Sequence, residues 1–429
     1  MNAKQPADIA EKNRSQEGNH QQPLKGERYQ LHPDRDMKLD KSSVMLLDKI
    51  LKQLPWLMPK RIKLKLIDRI AMRSAIVSRE LGDTNVSVDD ILVGLYQSFS
   101  LAFADAVCSK LKITPEKRAE YKQNAFNIDY VSIDTFLRDI KVIADLCGAE
   151  IREEKLLPFL DCYKELLEWG TIYIKTTTKE LTPKELFIRP GHASRWFEVA
   201  AMAKQCGLAD FYDNQAYQMY ASICSKVDVI GSMVDIDVQG DIQKFYAFFG
   251  HKPVDLNKIK KCEHLPESVL KNVALLESLG LKRFSIVGVD VKKDSLNLYY
   301  FVDQTEFNEA KIERILTSLG FEMPGEQILQ QMKDAVLVYF TFTRTSDQIE
   351  RVCFTRVYED DMEEAIEIVP SFREFIEKSP VKSAKRSLML GFTFGKNGHY
   401  LKVEWDYKSS FQASKKMKYT GLYSNLDEF

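Results

Sequence analysis

Five times along this chain, two runs of alternating apolar and polar residues stand a short polar link apart. A segment of helical periodicity separates each pair from the next. The runs are Thr171–Thr178 with Lys184–Arg189, Asp228–Val238 with Ile242–Phe249, Arg283–Val291 with Ser295–Asp303, Ala335–Arg344 with Ile349–Tyr358, and Ser387–Phe394 with His399–Lys408. Links such as Gly240-Asp241, Lys293-Asp294 and Asn397-Gly398 suit tight turns, so each pair is predicted to be an antiparallel hairpin. The intervening helices are predicted to end at Gly148, Gly170, Gly207, Gly280 and Gly320, because glycine is the usual left-handed terminator. Their apolar residues share one face, as in Val269, Leu270, Val273, Leu276 and Leu279 behind Pro266, and such a helix covers only one side of a sheet. A ten-stranded sheet covered on one side can remove its edges by closing on itself. The predicted fold class is therefore α+β: a ten-stranded antiparallel β-barrel in repeated αββα order, surrounded by α-helices.

What precedes the repeat differs in kind. Residues 1–36 are rich in Gln, Asn, Lys, Glu and Pro, and a disordered tail is expected there. Residues 37–128 read as a small all-α domain and 129–429 as the barrel. In the helical part Val44, Leu47, Ile50, Leu51 and Leu54 share a face, and a second helix is expected over Ile62–Leu81. Ser87, with Asp90 three residues on, offers a capping pair for a third. The stretch Lys49–Arg69 is strongly basic around Trp56. It reads as a solvated helix face rather than a surface for docking to a membrane or a partner protein.

Charge and cysteine usage narrow the function classes. With 61 basic and 62 acidic residues the formal net charge is −1, which argues against a nucleic-acid partner. No apolar run reaches the roughly 18 residues of a membrane span. The first 36 residues lack the apolar core of a signal peptide, so a cytoplasmic monomer is expected. The seven cysteines stand singly, without a Cys-x-x-Cys pair, and read as reduced thiols rather than disulfides or a metal site.

Alternation decides which strand residues share a face. Lys244, Tyr246 and Phe248 form one row, and Ser295, Asn297, Tyr299 and Phe301 another. Tyr339, Thr341 and Thr343, then Arg351, Cys353 and Thr355, then Tyr400, Lys402, Glu404 and Asp406 complete the set. Such mixed polar and aromatic rows suit a ligand-binding lumen, and they equally suit the solvent faces of an ordinary sandwich.

A resemblance favours the lumen. It is carried by QKFYAFF ending at Phe249, by GVDVKKDSLNLYY from Gly288, by the spacing from Tyr339 to Arg351 in IERVCF, and by YLKVEWDY from Tyr400. The helix PESVLKNVALLESLGL from Pro266 belongs with them. Over residues 131–429 the chain resembles the soluble aromatic prenyltransferases of the ABBA (PT-barrel) family, of the clorobiocin and naphterpin enzyme type. That resemblance implies transfer of a prenyl group, dimethylallyl or geranyl, from an isoprenoid diphosphate to an aromatic acceptor in secondary metabolism. It implies that Lys244, Lys293, Asn297, Tyr299, Tyr339, Arg351 and Lys402 hold the diphosphate, whose roughly three negative charges need such donors as it departs. Tyr246 and Tyr299 would cover the allyl cation with their π faces. Ser285, Leu337, Glu404 and Asp406 match acceptor-lining positions, and Glu404 would accept the proton of an acceptor hydroxyl. An ion pair of Glu404 with Lys402 or Arg189 is the alternative.

Magnesium-dependent members carry a ligand aspartate where this chain has Phe187. Arg189, on the same face two residues later, could supply the metal's charge, so no cofactor and magnesium-independent turnover are expected. Two other function classes remain as alternatives: a non-catalytic barrel for a hydrophobic small molecule, and a barrel docked by its N-terminal helices. The run Asp360-Asp361-Met362-Glu363-Glu364 reads as a solvated acidic helix start rather than a metal motif. His192 and His399 read as surface residues.

Overall fold

The computed structural model describes residues 38–54, 67, 70–71, 74, 85–99, 101–126, 130–180, 184–192, 199–208, 213–227, 229–249, 253–302, 307–359, 362–383 and 386–408. The expected N-terminal tail, most of Lys49–Arg69 with Trp56, and most of Ile62–Leu81 lie outside them. The chain divides into two compact units, Met1–Ile91 and Leu92–Phe429, a division well before residue 128.

In the first unit β1 (Lys38–Leu39) pairs in parallel with β2 (Asn85–Val86). Between them α1 (Lys41–Gln53) is capped by Asp40, which accepts from Ser43 N at 2.5 Å. Val44, Leu47, Ile50 and Leu54 are buried as their spacing requires, and Leu51 is half-buried. The division falls within α2 (Val88–Ser98). Its start is the expected reciprocal box: Ser87 N donates to Asp90 Oδ2 at 2.8 Å and Asp90 N to Ser87 Oγ at 3.2 Å.

The second unit opens with α3 (Leu101–Lys110) and α4 (Pro115–Phe126) and then becomes the repeat. Helices α5 (Ile133–Cys147), α6 (Glu153–Cys162) and α7 (Lys164–Trp169) lead into β3 (Thr171–Thr177) and β4 (Phe187–His192). Next come α8 (Val199–Gln205), α9 (Gln215–Lys226), β5 (Val229–Asp237) and β6 (Asp241–Phe249). The third round is β7 (Val254–Asp255), α10 (Leu256–Ile259), α11 (Glu267–Ser278), β8 (Arg283–Phe284), β9 (Ile286–Asp290) and β10 (Ser295–Phe301). The fourth is α12 (Glu309–Leu319), α13 (Glu326–Lys333), β11 (Leu337–Thr343) and β12 (Arg351–Glu359). The last is α14 (Glu363–Ile368), a 3-10 turn at Pro370–Phe372, α15 (Arg373–Lys378), β13 (Ser387–Gly395) and β14 (Gly398–Lys408). Ten strands close in the order β10-β11-β12-β13-β14-β3-β4-β5-β6-β9, with β9 paired to β10 and every pairing antiparallel.

Helices cover the outward strand face. Trp405 packs edge-on against Phe375 of α15 at 6.3 Å, and Tyr407 against Phe136 of α5 at 5.4 Å. Phe245, Leu296, Leu298, Phe340, Phe342, Val352 and Phe354 are fully buried on this face. Each such side chain contributes roughly 1.5–3 kcal/mol. The sandwich alternative fails, because the mixed rows lie on the opposite, enclosed face.

Four expectations are corrected. Gly170 is not a left-handed terminator, since its φ is −89°. A Cβ there would meet Leu166 O at 2.5 Å and Gly191 O at 2.6 Å, so close approach of two backbones requires glycine. The expected strand Lys184–Arg189 lies three residues further on, at Phe187–His192. The expected strand Arg283–Val291 breaks at Ser285, and β8 pairs with β7 outside the barrel. Leu270 is 45% exposed, because α11 packs with Val269, Val273 and Leu276 and turns Leu270 to solvent.

Candidate active site in the barrel lumen

Directly paired residues of neighbouring strands point to the same side of a sheet, so the register carries one face around the barrel. Tyr299 pairs with Tyr339, Tyr339 with Cys353, Cys353 with Thr393 and Thr393 with Tyr400. Asn297 leads through Thr341 to Arg351, and Phe301 leads through Leu337, Thr355 and Gly391 to Lys402. Glu404 pairs with Lys175, and Lys175 with Phe187. Lys244, Tyr246 and Phe248 join through Asp290, Gly288 and Ile286. Every row that alternation grouped is thereby turned inward.

The lumen holds a group of cations at Lys244, Arg351 and Lys402. Lys402 Nζ donates to the Tyr339 hydroxyl and lies 4.7 Å from that ring's centroid. Arg351 Nη1 donates to Tyr400 OH at 3.3 Å, and its buried Nε has no partner among the described residues. Lys244 Nζ stands 4.0 Å from Asp290 Oδ2. Burial pushes the Lys244 ammonium down to about 7, with Lys175 and Lys402 adding repulsion against the pull of Asp290. Burial likewise lowers Lys402 to about 8, with Arg351 and Lys175 adding to the effect. The amide oxygen Oδ1 of Asn297 also lacks a partner, while its Nδ2 donates to Tyr299 OH at 3.1 Å.

Three tyrosines form a wall along these cations. The rings of Tyr299 and Tyr339 lie 4.4 Å apart and those of Tyr246 and Tyr299 6.1 Å apart. Burial pushes all three hydroxyls well above the usual tyrosine range, so they remain neutral donors. Gly288 gives the wall its room: a Cβ there would come within 2.9 Å of Tyr246 Cε1 and 3.2 Å of Tyr299 Cε2. Beyond the wall, Met233, Phe248, Ile286, Phe301, Leu337, Val357 and Met389 supply an apolar lining.

In a second charged group each charge has a partner of opposite sign. Asp235 accepts from Arg189 Nε at 2.5 Å, from Tyr246 OH at 2.9 Å and from Lys175 Nζ. Arg189 Nη1 donates to Glu404 Oε2 at 2.6 Å and Nη2 to Tyr246 OH at 2.8 Å. Although burial alone would raise it, the cations Arg189 and Lys175 hold the Asp235 carboxyl well below its usual range. Lys175 Nζ lies 4.6 Å from the centroid of the Phe187 ring.

Sequence reasoning gave no role to Lys175 or Asp235. The only available signal was alternation, which places Lys175 with Tyr173 and Asp235 with Met233 on inward rows. The diphosphate set assembles except for Lys293, which stands on the β9–β10 turn with its side chain 54% exposed and 3.9 Å from Glu185. Arg189 is also not a free cation, since Asp235 and Glu404 both hold it. Leu337 lies in the apolar lining, and Ser285 is buried at the break between β8 and β9. Asp406 is fully buried and accepts from Ser387 Oγ at 2.8 Å. His399 is exposed, as expected, whereas the His192 side chain and Asp360–Asp361 lie outside the described residues. Glu363 and Glu364 begin α14 and pair with Arg373 and Arg356.

A family model described as aromatic prenyltransferase Orf2 matches residues 131–415. The chain is 24% identical over 262 residues to the 5,10-dihydrophenazine-1-carboxylate 9-dimethylallyltransferase of Streptomyces anulatus, covering 60% of this chain and 87% of the relative. It is 26% identical over 286 residues to the 4-hydroxyphenylpyruvate 3-dimethylallyltransferase of Streptomyces niveus, covering 64% and 84%. Among solved structures, the 5-dimethylallyl tryptophan synthase of Streptomyces coelicolor, in complex with DMASPP and Trp, matches with a TM-score of 0.43 at 7% identity. That match covers 65% of this chain and 95% of that one. Among the described residues no helix is long and apolar enough to cross a membrane.

Proposed function

The chain belongs to the aromatic prenyltransferase Orf2 family, and we propose that its lumen transfers a dimethylallyl or geranyl group from the diphosphate to an aromatic ring bearing a hydroxyl or ring N–H. The observation that carries this reading is the convergence of Lys244, Arg351 and Lys402 on one tyrosine-walled space, where among the described residues the one paired carboxylate is Asp290, 4.0 Å from Lys244. Their charges suit a leaving diphosphate. As the C–O bond breaks, the faces of Tyr246, Tyr299 and Tyr339 shield the allyl cation from water. The ring carbon of the acceptor then forms the new bond and gives up its proton, for which Glu404 is the nearest base on the Lys402 row. Membership of an enzyme family answers the non-catalytic alternative. The test is incubation with dimethylallyl and geranyl diphosphates and a panel of phenols, naphthols, phenazines and indoles. Mass spectrometry should find a prenylated product, and failure with every pairing would overturn the reading.

Turnover without magnesium belongs to the same reading, on different grounds from Arg189. Phe187 cannot ligate a cation, and its register partner Lys175 puts an ammonium over its ring. The neighbouring carboxylates Asp235 and Glu404 are already paired with Lys175 and Arg189, so these residues do not fit a divalent cation there. Activity should change less than twofold in excess chelator, and strict dependence on added magnesium would refute this.

A further inference from the structure

Asp235 has a part that the prenyl-transfer reading does not assign. Its carboxylate is fully buried and takes Arg189 through Nε at 2.5 Å and Nη2 at 3.3 Å, together with Lys175 Nζ and Tyr246 OH. Arg189 in turn holds Glu404 Oε2. Within this group two cations, Lys175 and Arg189, face two carboxylates, Asp235 and Glu404, so their formal charges cancel. The remaining carboxylate oxygen, Glu404 Oε1, has no hydrogen-bond partner among the described residues.

These contacts decide what an incoming aromatic molecule meets beyond the tyrosine wall. The guanidinium that could receive an acid is already occupied on both sides. What is offered instead is the free oxygen of a carboxylate, which accepts hydrogen bonds and gives none. A neutral ring with an O–H or N–H satisfies that oxygen. A carboxylate in the same place would be buried without a cation and beside a like charge, which is unfavourable twice over.

Resting on the prenyl-transfer reading for the lumen's occupant, we infer that Asp235 is a specificity-determining residue. By holding Arg189 and Lys175 in ion pairs, it makes this end of the lumen select neutral aromatic donors over aromatic acids. The selection would set this chain apart from the Streptomyces anulatus and Streptomyces niveus relatives, whose names state acidic substrates. Removing the Asp235 charge frees the Nε–Nη2 edge of the guanidinium while Glu404 keeps Nη1, and that edge is a bidentate receptor for a carboxylate.

The test compares 1-naphthol with 1-hydroxy-2-naphthoate, which keeps the ring and hydroxyl and adds the acid. Calorimetric titration of the full chain is made with and without saturating dimethylallyl S-thiolodiphosphate. The wild type should bind the naphthol at least tenfold more tightly than the acid. Asp235→Asn should shift that ratio tenfold or more toward the acid, and Asp235→Glu should restore it. Lys175→Met with Asp235→Asn removes one charge of each sign and keeps the measurement open if the single variant fails to fold; it should shift the ratio in the same direction. A wild-type ratio within threefold, or a ratio that no folded Asn variant moves, overturns the inference. If the thiolodiphosphate itself fails to bind the wild type, the prenyl-transfer reading falls instead, and the naphthol pair on the empty chain still reads the selectivity.

Discussion

Inside one lumen, Lys175 and Arg189 meet carboxylates directly, whereas Lys244, Arg351 and Lys402 meet hydroxyls, one another and one carboxylate at 4.0 Å. Burying a charge costs free energy unless a partner returns what water supplied. In the first group the chain itself returns it, and the group is a strut along the wall formed by β14, β3, β4 and β5. In the second it is returned only in part, and the lysines show the deficit by holding their protons weakly. The difference separates scaffold from binding site without reference to any relative: an anion improves the second group and has no place in the first.

The sharpest way to break this contrast is to remove one cation from each side. Arg189→Ala leaves the buried Glu404 without its ion-pair partner and Asp235 with Lys175 alone, and should cost about 3–5 kcal/mol of stability. A melting temperature within a degree of wild type would show that the strut is not one. Arg351→Ala and Lys402→Ala should do the reverse. Each should lower turnover about a hundredfold or more, as expected when a charge-stabilising donor is lost, with the melting curve nearly unmoved. If these variants unfold as readily as Arg189→Ala, the two groups do not differ in kind.

A milder test uses pH. Lys244 sits near 7 and Lys402 near 8 in the empty lumen, so both lose protons as pH rises through that range. A diphosphate binds their charged forms and must take up protons above it. Through these lysines, affinity for dimethylallyl S-thiolodiphosphate should therefore be fully developed only below pH 7 and weaken at least tenfold by pH 9. Calorimetry in buffers of different ionisation enthalpy should also detect proton uptake at pH 8. A flat profile would mean that the lysines are fully charged before the ligand arrives.

The binding half of this contrast was legible in the sequence and the strut only as the alternative pairing of Glu404 with Arg189, for a physical reason. Rows such as Lys244-Tyr246-Phe248 depend on a period of two within one strand, which is local. Their assignment to the diphosphate came from resemblance, and it also carried Lys293, although the strand pattern itself placed Lys293 on the link between two strands, away from any inward row. The strut joins Lys175 to Asp235 across 60 positions and Arg189 to Glu404 across 215. Those contacts exist only once β14 has closed against β3 and β4 against β5. Arg189 was placed on the correct face and its ion pair with Glu404 was the stated alternative, which the structure shows, but nothing local announces that Asp235 will meet it as well. Gly170 misled in part in the same way: it looked like a left-handed helix stop, while its requirement comes from the carbonyl of Leu166 together with the distant carbonyl of Gly191.

The smallest expected effect comes from the other side of the barrel wall. Tyr300 follows Tyr299 on β10 and so points outward, where its ring packs against Phe340 at 5.8 Å and Phe284 at 6.4 Å. Its hydroxyl is buried with no partner among the described residues, and burial pushes it well above the usual tyrosine range. Arg351 Nε and Asn297 Oδ1 are equally unpartnered, but they face the lumen. The contrast between scaffold and site predicts opposite consequences for these orphans. Tyr300→Phe deletes an unsatisfied group, keeps both ring contacts, and should gain about 1 kcal/mol, seen as roughly 2 °C in melting temperature. Its kinetic constants should stay within twofold of wild type. Asn297→Leu removes, besides that oxygen, the Nδ2 donor that can turn from Tyr299 OH to a diphosphate oxygen, so its loss should appear in diphosphate affinity rather than in melting. If Tyr300→Phe slows turnover, or Asn297→Leu stabilises the chain without weakening that affinity, unpartnered polar groups do not mark the site, and the argument from unpaired cations weakens with them.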